Sequence, residues 1–368
     1  MLNILAAGLI AMIITLVGTR WWIRYLKRHH YGQFIRDDGP TTHHVKRGTP
    51  TMGGAIVLLA IVCGYFGSHL LLTLGGRAGV SGLVEEGQPL TLSGLLALGL
   101  MVALGAVGFA DDWAKIRHSR SLGLHAKAKL ILQTIIGLAF AYVALHFPNQ
   151  AGITPASPAI SGQRDVSWLQ LPIWLAIIWI LFIIAAYSNG TNLTDGLDGL
   201  LTGSAAMAFL AYGMLNFWQW NQECSRNLEA GCYAVRDPLD LAVVAAAVAG
   251  ALVGFLWWNS SPAQIFLGDT GSLALGGGFA ALTIMTRTEL VGVVIGLLFV
   301  LEALSVILQV GFFKATGGRR LFKMAPLHHH FEMMGWQEVT VVVRLWLVAG
   351  IAVMAGLGLF YGEWVLAQ

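Results

Sequence analysis

The sequence predicts an all-α polytopic membrane protein, and three observations carry that prediction. Its 368 residues are 56% hydrophobic and only 11% charged, with a mean hydropathy of +0.70, so too few polar side chains remain to cover a soluble globule. Its apolar runs repeatedly approach the roughly 20 residues that span a bilayer. The first 19 residues carry no charge, and Arg20, Arg24, Lys27 and Arg28 follow them. A signal peptide has its basic residues first, so this opening reads as an uncleaved first helix.

Taken in order between charged or Gly/Pro-rich breaks, the apolar runs give about ten helices by the ~20-residue criterion. They lie near 3–24, 51–75, 92–110, 128–147, 171–188, 200–220, 239–258, 271–288, 290–313 and 339–362. With the connections assigned alternately, one side collects Arg20, Arg24, Lys27, Arg28, Arg36, Lys46 and Arg47, then Lys115, Arg117, Arg120, Lys127 and Lys129, then Lys314, Arg319, Arg320 and Lys323. The other side collects Arg77, Arg164, Arg226, Arg236 and Arg287. Cytoplasmic loops hold the excess of Lys and Arg, which puts the first side in the cytoplasm and both termini outside. No repeat, low-complexity tract or soluble insert breaks the pattern, so residues 1–368 read as a single integral-membrane domain. Cys63 falls inside a helix as a small packing residue. Cys224 and Cys232 flank SRNLEAG in an outside connection, a candidate disulfide if that compartment is oxidising. Trp21, Trp22, Trp257 and Trp258, near helix ends, read as interface anchors.

The residues with chemistry converge on the basic side. Asp111 and Asp112 close the third helix in GFADDWAKI, and NLTDGLDGL, residues 192–200, follows the fifth. Asp269 follows the seventh in NSSPAQIFLGDTGS, and MAPLHHHFE fills the last connection of that side. One aspartate at a helix start is ordinarily a cap complementing the dipole. Five on one membrane face repel one another unless a cation joins them. Oxygen ligands without cysteine suit Mg²⁺ or Mn²⁺, and Mg²⁺ takes one or two carboxylates and keeps waters, so not every acid need be a ligand.

Lys46, Arg47, Lys127 and Lys129 can neutralise phosphate oxygens, although each also satisfies the positive-inside bias. Lys129 stands out because it borders the apolar run LILQTIIGLAFAYVAL, where a buried ammonium needs a partner. His328, His329 and His330 are consecutive, so they cannot all face one point, and a three-ligand zinc site from this tripeptide is poor geometry. Asn189, Asn192 and Asn259 sit beside the acids and can donate to phosphate or a sugar hydroxyl; capping explains each of them equally well. Glu302 falls inside the ninth helix, apart from the other acids. A structural hydrogen bond and a functional role are both open for it.

Carboxylates, a divalent cation, lysines and glycine-rich turns at a membrane boundary are what transfer of a phosphate-bearing group to or from a lipid requires. Neither GxxxxGK[ST] nor HExxH occurs, which disfavours an ATPase or a metalloprotease. A transporter would place its binding groups near the bilayer midplane, often on an internal repeat. Here all but Glu302 lie at one boundary.

TPTMGG, GFADDWAKI, NLTDGLDGL, NSSPAQIFLGDTGS and PLHHHFE, in that order across the hydrophobic segments, resemble the polyprenyl-phosphate N-acetylhexosamine-1-phosphate transferases. TPTMGG and PLHHHFE resemble in particular the branch acting on phospho-N-acetylmuramoyl-pentapeptide, and the likeness covers nearly the whole chain. It implies a multi-pass enzyme of the bacterial inner membrane that moves this group from UDP-N-acetylmuramoyl-pentapeptide to undecaprenyl phosphate. The products would be UMP and lipid I, for peptidoglycan and cell wall synthesis, with Mg²⁺ or Mn²⁺ as cofactor. Carried over by motif, the resemblance implies catalytic roles for Asp111, Asp112, Asp269, Lys129 and His328, with Asp269 also a metal ligand. It implies substrate contacts for Lys46, Asn192, Asp195, Asp198, Asn259, His329 and His330; Asn189, beside the same acids, is a substrate-binding candidate from its position alone. Lys129, rather than Lys127, falls on the family's lysine. A transferase using UDP-N-acetylglucosamine would rest on the same acids and differ mainly in the histidine loop. Membrane lipids are expected partners, nucleic acid is not, and a homodimer is left open.

Overall fold

Backbone amides that enter lipid have no partner except each other, so long apolar runs wind into helices. A computed structural model of the protein describes residues 1–29, 31–32, 48–77, 89–117, 123–224 and 231–366. Its helices are α1 (Leu2–Arg28), α2 (Gly53–Arg77), α3 (Leu92–Arg117), α4 (Ala126–His146), α5 (Ile173–Thr194), α6 (Leu200–Asn221), α7 (Pro238–Asn259), α8 (Gly268–Met285), α9 (Glu289–Ile295), α10 (Leu297–Ala315), α11 (Leu327–Glu332) and α12 (Glu338–Leu366). Lys46, Arg36, Arg47, Arg120 and Arg226 lie outside the described residues.

Among the described residues, nine helices are long and apolar enough to cross a membrane: α1 to α7, α10 and α12. Two of the expected ten segments depart from the simple pattern. The run 271–288 becomes α8, whose polar first turn holds Asp269, Thr270 and Ser272, and which is buried from Thr270 to Met285. It packs against α3, α5 and α2, so protein replaces lipid around it and a strongly apolar surface is not needed. The run 290–313 breaks at Gly296 into α9 and α10. Hydropathy does not see the break because both halves are apolar.

One short antiparallel pair, β1 (Ala159–Ser161) with β2 (Asp165–Gln170), lies between α4 and α5, in register Ala159↔Gln170 and Ser161↔Asp165. The helical reading assigned it no element. It lies in a polar connection outside the spans, and the class remains all-α. The expected Cys224–Cys232 disulfide is formed in the α6–α7 connection.

The site is positioned by α3 lying along α8. A Cβ on Gly108 would collide with the backbone carbonyl of Asp269, so the absence of a side chain there lets the end of α3 meet the start of α8. Two segments more than 150 residues apart are thereby brought into contact.

Candidate functional site

Asp112 comes from α3 yet caps α8. Its Oδ1 accepts the Asp269 N–H at 3.2 Å, and its Oδ2 accepts the Thr270 N–H at 3.0 Å and the Thr270 hydroxyl at 2.7 Å. These are the orphan donors of a helix N-terminus, whose dipole favours the negative charge. The cap holds Asp269 beside both aspartates. One carboxylate oxygen from each of Asp111, Asp112 and Asp269 lies within 4.8 Å of the other two, an arrangement that could hold a metal ion. Asp111 and Asp112 are buried, and Asp269 keeps a little exposure.

Two ammonium groups lie among these acids. Lys129 Nζ reaches Asp269 Oδ2 at 2.6 Å and Asp111 Oδ1 at 3.8 Å. Lys115 Nζ reaches Asp111 Oδ2 at 2.6 Å, Asp269 Oδ2 at 3.0 Å and Asp112 Oδ1 at 3.7 Å. Asn192 Nδ2 donates to Asp269 Oδ1 at 2.9 Å and to Ser272 Oγ at 2.8 Å. Three carboxylates against two ammoniums leave a negative excess. Asp195 stands beside them: its Oδ2 accepts the Gly268 N–H at 3.1 Å, and burial among these groups, with Asp269 and Asp112 adding repulsion, pushes its pKa up to about 8. The donor set, all hard oxygen with net negative charge, fits a divalent cation of the Mg²⁺ type.

The other sequence candidates separate. Asp198 lies on the far side of the α5–α6 turn, where its Oδ2 accepts the Ala263 N–H at 3.0 Å and its own N–H donates to Glu338 at 3.1 Å. Asn259 is buried, accepting from the Thr202 hydroxyl at 2.6 Å and donating to the Ile265 carbonyl at 2.9 Å; it braces the segment leading to Asp269. Asn189 donates to the Ala185 carbonyl at 2.8 Å, one turn back in its own helix. Lys127 is exposed, whereas Lys129 joins the cluster.

The three histidines take three different partners. His328 is fully buried with its Nδ1 3.2 Å from Glu302. His329 Nδ1 meets Glu332 at 2.7 Å, and His330 Nδ1 accepts the Lys323 N–H at 3.1 Å. Glu302 is therefore not isolated, as its sequence position suggested, because α11 places His328 against it.

Sequence reasoning missed Lys115, which it counted only as cytoplasmic-side charge. The signal was present: Asp111 and Lys115 are i, i+4 on one helix, and Asp112 and Lys115 are i, i+3.

A family model described as glycosyl transferase family 4 matches residues 94–287. The chain is 58% identical over 370 residues to a phospho-N-acetylmuramoyl-pentapeptide-transferase of Cutibacterium acnes, covering 100% of both chains. It is 54% identical to the protein of that name in Paenarthrobacter aurescens, again over 100% of both, and 55% identical to the one in Pseudarthrobacter chlorophenolicus, over 99% of this chain and 98% of the relative. The chain belongs to glycosyl transferase family 4. The family-4 stretch contains Asp111, Asp112, Lys115, Lys129, Asn192, Asp195 and Asp269, the whole acid–lysine cluster. Glu302 and the histidines fall beyond it and are reached only by the full-length relatives. As a family-4 glycosyl transferase, the chain presents buried acids, two ammoniums and hydrogen-bond donors at one end of a helical bundle, where a phosphate-bearing substrate and a membrane lipid can meet.

Proposed function

We propose that the chain transfers phospho-N-acetylmuramoyl-pentapeptide from its UDP carrier to undecaprenyl phosphate, forming lipid I and UMP for peptidoglycan synthesis. The observation that carries this reading is full-length identity of 58% with a bacterial relative of that name. The acid–lysine cluster supports it chemically. Asp269, with Asp111 and Asp112 beside it, would hold Mg²⁺, or Mn²⁺ in its place. Bound there, the cation would draw charge from the pyrophosphate oxygens.

A phosphate monoester has its second pKa near 6, so the lipid phosphate is mostly dianionic at neutral pH and needs little help from a base. Bringing two anions together is the harder task. In this reading Lys129 and Lys115 neutralise phosphate oxygens while the lipid phosphate displaces UMP in a single step. Asp112 already accepts three donors from α8, so it is a structural cap in this scheme. Asp111 is the acid that orients the lipid phosphate. His328 is buried and supports the site from behind; Asn192, Asp195 and Asp198 line the turn that receives the nucleotide sugar. The acid end faces the cytoplasm, on the positive-inside distribution and on the disulfide at the opposite end, which suits an oxidising compartment.

The test uses purified protein in detergent with undecaprenyl phosphate and Mg²⁺, offered UDP-N-acetylmuramoyl-pentapeptide and UDP-N-acetylglucosamine in parallel. UMP should appear from the muramoyl substrate alone and vanish on chelation. Release from the glucosamine substrate would reassign the sugar, and release that survives chelation would remove the cation.

A further inference from the structure

A carboxylic acid inside a membrane-spanning helix is costly unless something in the protein answers it. Glu302, within α10, is fully buried, and what answers it is His328 of α11. Glu302 Oε2 lies 3.2 Å from His328 Nδ1 and 3.4 Å from the His328 backbone nitrogen. The ring approaches off the line of a good hydrogen bond, so Glu302 Oε1 and both ring nitrogens of His328 have no hydrogen-bond partner among the described residues, and the pair is held by close packing. The Oε2–Nδ1 contact leaves Nε2 on the side of the ring that faces away from Glu302.

The nitrogen that faces away is packed onto Gly196. A Cβ built there would collide with Nε2 and come within 2.8 Å of Cε1. Gly196 sits inside the Asp195–Asp198 turn, and that turn grips both ends of the segment leading into α8. Asp195 accepts the Gly268 N–H at 3.1 Å and Asp198 accepts the Ala263 N–H at 3.0 Å. Asp269 follows directly. A continuous set of contacts therefore runs from Glu302 through His328 and the glycine turn to the candidate cation site.

We infer that Glu302 is a positioning residue: through His328 it sets the height of the Asp195–Asp198 turn, and through that turn the placement of Asp269. The inference rests on the reading of Asp269 as a cation ligand. Residues that orient metal ligands from behind typically change metal affinity by 10–100-fold when removed. For a residue this far back, the lower end of that range is expected.

The experiment measures Mn²⁺ affinity of the full-length protein in detergent by the electron paramagnetic resonance signal of free Mn²⁺, with no nucleotide present. Glu302→Ala should raise the Mn²⁺ Kd by about tenfold and lower kcat by a similar factor, while KM for the nucleotide sugar stays unchanged. Glu302→Gln, which keeps the side chain's shape and an oxygen against the His328 ring, should restore Mn²⁺ affinity to within about twofold of the parent. Should Glu302→Ala not fold, Gly196→Ala probes the same path from the other end by driving His328 away with Glu302 intact, and it too should weaken Mn²⁺. Unchanged Mn²⁺ affinity in either folded variant overturns the proposal. Wild-type protein that binds Mn²⁺ yet releases no UMP would instead sink the transferase reading, and the Mn²⁺ comparison would still decide the role of Glu302.

Discussion

Asp269 and Asp240 occupy the same local position, the first turn of a buried helix, at opposite ends of the bundle, and they are held in opposite ways. Asp240 is one charge among donors: Tyr65 Oη at 2.7 Å, the Thr91 hydroxyl at 2.6 Å, the Thr91 N–H at 3.3 Å and His69 Nε2 at 3.0 Å. It joins α2, the start of α3 and α7, with its needs met inside the fold. Asp269 shares its surroundings with two further carboxylates, their oxygens within 4.8 Å. At an effective dielectric of ~20, each such pair of charges repels by roughly 3 kcal/mol. Two lysines offset part of that, and a divalent cation would offset the rest. Burial of an acid is thus no mark of a site; crowding of like charge is.

Substitution is the strongest way to break this contrast. Asp269→Asn should cut Mg²⁺-dependent UMP release by about a thousandfold with the protein still folded. Asp240→Asn should leave turnover within about threefold of wild type while lowering stability by about 1–3 kcal/mol, through hydrogen bonds lost from a buried network. Turnover and thermal unfolding measured on both variants check this, and a turnover loss in Asp240→Asn equal to that of Asp269→Asn would erase the distinction.

Next in size is Lys115, which bridges all three acids. Lys115→Met should lower kcat by about a hundredfold, and steady-state kinetics would show it. A loss confined to stability would make Lys115 a brace like the partners of Asp240.

A smaller effect sharpens the electrostatics. With its pKa pushed up to about 8, Asp195 is mostly protonated at pH 7 in the cation-free protein. A cation beside it favours the ionised form, so Mg²⁺ binding at pH 7 should release up to one proton. Calorimetry in buffers of different ionisation enthalpy reads that proton. Its release should fade as pH rises through 8 and disappear in Asp195→Asn.

The smallest effect belongs to the disulfide end. Arg164 there donates to the Cys232 carbonyl at 2.9 Å and to the Gly231 carbonyl, and it pairs with Glu363 of α12 at 3.2 Å. Cys224 and Cys232 should resist alkylation until reduced. Reduction should cost about 2–3 kcal/mol of stability and leave UMP release unchanged. A reporter fused after Gln368 should register the outside; a cytoplasmic signal would exchange the two ends.

Much of this was legible in the chain itself. Composition and apolar runs set the class, because transfer of each side chain into lipid adds along the sequence regardless of its neighbours. The motif positions placed Asp111, Asp112, Asp269, Asn192 and Lys129 at one boundary, and the structure brings these five together. What remained illegible depended on helix rotation and contact. Asn259 and Asn189 turn to the Ile265 and Ala185 carbonyls, α8 is enclosed by protein, and the ninth run breaks at Gly296. Lys115 becomes a bridge only when α8 carries Asp269 to it, and Glu302 meets His328 only because α11 folds back on α10. Hydropathy and charge act residue by residue, so the sequence alone determined the membrane class and most of the spanning segments, and it gathered the acids at one boundary. Partnership needs atoms within a few ångströms, and close packing at points such as Gly108 decided which acid met which base.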